Sequence, residues 1–187
     1  MLGGLDWVIA QHRVPAVVNM SLGSYLSPAL NEAVATAVAA GLTVVVAAGN
    51  DNADACQYSP AAAPAALTVG ATGPTDARAA FSNDGACVDL LAPGVNIPSA
   101  GAGGDSATAT LSGTSMATPH VAGAAALVLG RQPGATPAAV AEALTGRATA
   151  DVLSGLGGED RRRSLDADTA ERPPVTAVWF WPALFSE

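Results

Sequence analysis

The segment from Ala16 to Ala47 limits the fold more than any other part of the chain. Ala16 to Met20 (AVVNM) is short and apolar, and Leu42 to Ala47 (LTVVVA) is a continuous run centred on β-branched residues. Between them, Pro28 to about Ala40 carries the marks of a helix, with Ser27 as N-cap, Pro28 at the first helical position and Gly41 as the stop. Apolar strands without polar alternation are buried on both faces, and two strands joined through a helix run parallel. The expected class is therefore α/β: three layers, with a mostly parallel sheet covered by helices on both faces.

Further elements are expected on either side. Leu2 to His12 spaces Leu2, Leu5, Val8 and Ile9 as a helix does, and Pro15 ends it. Short strands are expected at Ala66 to Gly70, Val88 to Ala92 and Ala107 to Leu111, and a capped helix from Thr136-Pro137 to about Leu144. Between Gly113 and Gly130 the sequence is apolar on every side, which predicts a helix buried all round. Ala48 to Pro64 is small, polar and proline-punctuated, a long loop of the kind that usually carries function. After Gly157 come three successive arginines, a Pro-Pro step and four of the eight aromatics within the last nine residues. The expected organisation is one structured unit, 1–157, and a disordered tail, 158–187.

Composition narrows the function. The basic residues are all arginine, 8 against 16 acidic residues, and a net charge of -8 repels phosphate backbones and anionic lipid. Neither nucleic acid nor a membrane is an expected partner, and Met1 to Trp7 has neither the basic start nor the apolar run of a signal peptide. Cys56 and Cys87 have no histidine nearby, so a zinc site would be short of ligands. A disulfide and two free buried thiols both remain open on these residues.

The chemistry lies in Gly113-Thr114-Ser115-Met116-Ala117-Thr118-Pro119-His120-Val121-Ala122-Gly123. A small-residue turn delivers a serine to the start of a helix, where unpaired N–H groups and the helix dipole favour a developing anion. Ala117 stands where the nucleophile elbow of another hydrolase class demands glycine. A lone Gly-Thr-Ser would be no more than a cap, but the eleven-residue string resembles the serine motif of the subtilisin-like proteases (subtilases). The resemblance continues through Asn19-Met20-Ser21-Leu22-Gly23, Ala47-Ala48-Gly49-Asn50, Tyr58-Ser59-Pro60-Ala61, Thr68-Val69-Gly70-Ala71 and Phe81-Ser82-Asn83, and its detail is similar to the proteinase K and aqualysin-like branch.

That resemblance implies a partial subtilisin-like fold and a serine endopeptidase site with Ser115 as nucleophile. Asn50, at the carboxyl end of a parallel strand, would join the Ser115 N–H in binding the oxyanion. In subtilisin itself, the source of this magnitude, such an asparagine is worth about 10²–10³ in rate. Ser21, Leu22 and Gly23, with Ala47, Ala48 and Gly49, would line the cleft and pair their backbone with an extended protein or peptide substrate. The resemblance also implies a Cys56–Cys87 disulfide, extracellular location, and a structural calcium held by the carbonyls of Pro64 and Ala66 and the carboxylate of Asp89.

The family's triad runs aspartate, histidine, serine, and the first two members precede the segments matched in this chain. His120 follows the nucleophile by five residues on another face of the helix, and His12 lies beside Arg13 without a partner carboxylate. The expectation is therefore a chain with nucleophile and oxyanion donor but no general base, inactive alone and partnered by an N-terminal half bearing aspartate and histidine. The alternatives are a peptide-binding pseudoprotease fragment and a subunit complemented by a separate chain. A sheet missing its upstream strands would leave an edge uncovered and favour association.

Overall fold

The computed structural model describes residues 1–149, 153–156 and 178–180. Its centre is a five-stranded parallel sheet made of β1 (Val17–Met20), β3 (Thr43–Ala47), β5 (Leu67–Thr72), β6 (Leu90–Pro93) and β9 (Val178–Phe180), in the order β6-β5-β3-β1-β9. Two small antiparallel pairs flank it: β2 (Ser24–Tyr25) with β4 (Tyr58–Ser59), and β7 (Ile97–Ala100) with β8 (Thr108–Leu111).

Side chains alternate across the strands and divide the core in two. Val17, Val45, Leu67, Val69 and Ala71 pack against α3 (Thr114–Arg131), with α4 (Pro137–Arg147) beside it. Val18, Met20, Val44 and Val46 pack on the other face against α2 (Pro28–Ala39) and α1 (Leu2–Gln11). This is the expected three-layer α/β arrangement. The caps of α2 and α4 form as their sequences require: Ser27 accepts from the Leu30 N–H and Thr136 from the Ala139 N–H. Gly41 turns the chain back at φ 95°, a conformation that costs glycine little.

Four expectations need correction. α3 is not buried all round: Ala117, Thr118, Val121, Ala122, Ala125, Ala126 and Leu129 form the buried stripe, while the opposite face is half-covered and His120 is exposed. The stripe follows helical spacing, but alanine and glycine on the far side hid that amphipathicity. Strand β7 was absent from the reading because Pro98 and small polar residues give it no apolar signal; it exists as the partner of β8 in an exposed hairpin. The expected long loop contains a short 3-10 turn (Ala55–Gln57) and strand β4. Most of the expected disordered tail lies outside the described residues, but Val178–Phe180 forms β9, parallel to β1 in register Val17↔Val178. That pairing covers the β1 edge and makes β9 the outermost strand.

Leu90 is fully buried in the sheet beneath α3. L90A is expected to lower unfolding stability by about 2–5 kcal/mol, from lost transfer energy and the cavity left behind. Denaturant titration of both proteins would show it, and an unchanged midpoint would contradict this placement of the core.

Candidate active site

The first turn of α3 arrives beneath the carboxyl ends of β1 and β3, so two distant loops meet there. The Thr114 N–H donates to Asn50 Oδ1 at 2.8 Å, and the Thr114 hydroxyl donates to the same oxygen at 3.0 Å. Because the oxygen of this carboxamide takes both donors, its Nδ2 remains as the outward donor. The Met116 and Ala117 amides donate to Gly113 O at 3.0 and 3.4 Å. The remaining amide of that turn is that of Ser115, which has no acceptor among the described residues. Ser115 Oγ, half-buried, donates to Ser21 O over a long 3.4 Å.

Pro119 explains why Ser21 is tied to this helix. A proline five positions into α3 has no N–H to give the carbonyl four residues back, which is that of Ser115. Ser21 Oγ supplies the missing donor, reaching Ser115 O at 2.8 Å, and in turn accepts from Asn19 Nδ2 at 3.0 Å. An interruption in the helix is thereby converted into a cross-link between Ser115 and the end of β1. Asn19, 4% exposed, had no role assigned from sequence; its position on a buried strand next to a cleft segment was the available signal.

Ser115 and Asn50 open onto one cleft of about 460 Å³. Leu22, Gly23, Ala47, Ala48 and Gly49 line it, whereas Ser21 is placed against Ser115 and not on the wall. Ser24, Tyr25, Asp51, Tyr58, Ser59, Ala61 and Thr114 complete the lining. Sequence reasoning matched Tyr58 to Ala61 to the family pattern without placing them here. Tyr25 and Tyr58 stack with ring centroids 6.1 Å apart. Desolvation, then the charge and hydrogen bond of Asp51, push the Tyr58 hydroxyl above the ordinary tyrosine value.

Neither histidine reaches the cleft. His12 has its ring nitrogens 2.9 Å from Ile9 O and 3.2 Å from Ala40 O, joining α1 to the end of α2. The His120 ring bonds Met116 O at 2.8 Å on the exposed side of α3.

Comparison with known proteins settles the family. The subtilase family pattern (peptidase S8) matches residues 1–167. The chain belongs to the subtilase family. An extracellular serine proteinase of Thermus sp. (strain Rt41A) is 60% identical over 157 residues, covering 84% of this chain and 38% of that protein. Alkaline serine exoprotease A of Vibrio alginolyticus is 51% identical over 149 residues, covering 80% and 28%. The crystal structure of a cold adapted subtilisin-like serine proteinase superposes with a TM-score of 0.84 at 48% identity, covering 88% of this chain and 59% of that one. This subtilase chain thus spans well under half the length of the sequence relatives named.

Cys56 and Cys87 are joined in a disulfide, with Cα atoms 5.3 Å apart. For calcium, the sheet register is the relevant observation. Pairing Val69 with Leu90 sets Asp89 beside Thr68, where its carboxylate accepts the Thr68 N–H at 2.7 Å, two residues after Ala66. The exposed Asp89 carboxylate is an oxygen donor of the type a hard cation takes.

S21A is expected to cost about 1–3 kcal/mol by orphaning the Ser115 carbonyl. In a P119A background the helix supplies its own donor, so the same change should cost less than half as much. Unfolding midpoints of the four proteins give the coupling, and purely additive effects would refute the compensation.

Proposed function

We propose that this chain contributes the nucleophile and the oxyanion donors of an extracellular serine endopeptidase, and that the general base and its aspartate partner come from outside residues 1–187. The observation that carries the reading is the shared cleft of Ser115 and Asn50, with Asn50 oriented by Thr114. Residues 1–157 are read as the serine-bearing part of the peptidase unit, to whose sheet Val178–Phe180 adds an edge strand.

In this scheme an extended peptide lies along Ser21–Gly23 and Ala47–Gly49. Ser115 Oγ releases its long bond to Ser21 O, gives its proton to the external base and attacks the scissile carbonyl carbon. The charge that develops on the carbonyl oxygen is met by the Ser115 N–H and Asn50 Nδ2, both in place before reaction. The base then protonates the departing amine, and water releases the acyl group from Ser115 by the reverse sequence. His12 and His120 are both engaged away from the cleft, so neither histidine serves as the proton acceptor for the first step.

Losing the histidine of subtilisin itself costs on the order of 10⁶ in turnover. The isolated chain is therefore expected to show neither measurable peptide-ester hydrolysis nor rapid stoichiometric labelling by a fluorophosphonate. Both should return on mixing with a chain carrying the family's aspartate and histidine. Rapid labelling of Ser115 without that chain would overturn the reading. Labelling that never returns, together with retained peptide binding, would favour the pseudoprotease alternative.

The name of the Thermus relative and the Cys56–Cys87 disulfide support an oxidising, extracellular location. Calcium is proposed at the carbonyls of Pro64 and Ala66 with the Asp89 carboxylate, where it would brace the starts of β5 and β6. Calcium should then raise the thermal midpoint of the wild-type chain. In D89N, which keeps an acceptor for Thr68 but loses the charge, it should have no effect. An equal rise in both proteins would remove the site from Asp89.

A further inference from the structure

We propose that Asn83 is the positioning residue of the oxyanion donor, holding residues 48–53 so that the Asn50 carboxamide meets Thr114. The inference rests on the reading of Asn50 as that donor. Asn83 lies between β5 and β6, 1% exposed, and is not itself among the residues that line the cleft. Its Oδ1 accepts from the Asp51 N–H at 2.9 Å and the Ala53 N–H at 3.1 Å. Its Nδ2 donates to Ala48 O at 2.9 Å, and its own backbone N–H donates to Gly49 O, also at 2.9 Å. Asn50 is thus bracketed: the residues on both sides of it are fastened to one side chain, while its own carboxamide is left for Thr114 and the cleft.

Few side chains meet this demand. The site needs an oxygen with two free lone pairs and an N–H donor on the same short group, which asparagine supplies. Aspartate offers the acceptor without the donor, serine is too short to span both strands of the loop, and alanine leaves the Asp51 and Ala53 N–H groups and the buried Ala48 carbonyl without this partner. The loop is shaped for the same residue. Gly49 has φ 106°, and a Cβ there would stand 2.3 Å from Asn83 Nδ2, so position 49 must be glycine for the carboxamide to approach. Asn83 is itself fixed from behind. Ser82 Oγ accepts from the Ala71 N–H and donates to Asn83 O, and the Arg78 guanidinium joins Ser82 O to Asn52 Oδ1. The chain of bonds runs from strand β5 to the oxyanion donor without passing through the cleft.

The test uses the full chain with N83A, N83D and N50A, reading backbone amide exchange and the slow phosphonylation of Ser115 by a fluorophosphonate at alkaline pH, where hydroxide takes the serine proton in place of a histidine. In N83A, protection of the Asp51, Ala53 and Thr114 amides should fall about tenfold or more, while that of Val69 in β5 is kept. Labelling should slow about as much as in N50A. N83D retains both acceptor bonds, so Asp51 and Ala53 should stay protected, yet labelling should still slow because the bond to Ala48 is lost. That variant decides the matter if N83A does not fold. Thr114 protection and labelling unchanged in either folded variant would overturn the positioning role. Labelling unchanged in N50A would instead remove the donor reading, whatever the exchange data show.

Discussion

The bond from the Thr114 N–H to Asn50 Oδ1 is the contact on which the rest of the site depends. It spans 64 positions of sequence and fixes two things together: where the helix begins, and which way the carboxamide faces. An asparagine free to rotate would lose entropy on binding an oxyanion and would offer its oxygen as readily as its nitrogen. With the oxygen committed to a backbone donor and a hydroxyl, the nitrogen is presented without reorganisation at the moment of reaction. The bond exists because α3 lies across β1, β3 and β5, with Ala117, Val121 and Ala125 against the sheet. Small residues on that stripe let the helix approach closely enough for its first turn to reach the strand ends.

Much of this was legible in the sequence, and the reason is the strength of the local signals. The β-branched run at 42–47, Ser27 and Thr136 before proline, and the apolar stretch after Gly113 each fix an element from nearby residues. β7 was not legible, because its pairing depends on a partner and not on its own composition. β9 was not legible either, since its three residues become a strand only through the edge of β1.

The site divides in the same way. Ser115 and Asn50 could be named because the eleven-residue string and the Ala-Ala-Gly-Asn segment resemble a family pattern. The parts that hold them could not, because each works across space. Pro119 reads as a helix defect until Ser21 is seen to fill the missing bond, and Ser21 reads as a cleft residue until its hydroxyl is found on the Ser115 carbonyl. Asn83 carried a family match without a role, since nothing in Phe81-Ser82-Asn83 indicates that residues 48 to 53 lie around it. The disulfide joins the same two loops, with Cys56 following the oxyanion loop and Cys87 following Asn83, so a covalent link and a hydrogen-bonded one restrain the same pair of segments.

These arrangements separate two contributions that are often treated as one in a hydrolase. Stabilising an oxyanion requires fixed dipoles, and fixed dipoles come from a packed scaffold: a helix start, a strand end and a loop tied from below. Removing a proton from Ser115 requires a titrating group within hydrogen-bond reach, and that group need not belong to the same scaffold. In this chain the dipoles are set by contacts among residues 19 to 121, none of which involves either histidine ring. The orientation of the Asn50 carboxamide is therefore a property of this fold in its resting state, set by contacts that owe nothing to a base opposite the serine.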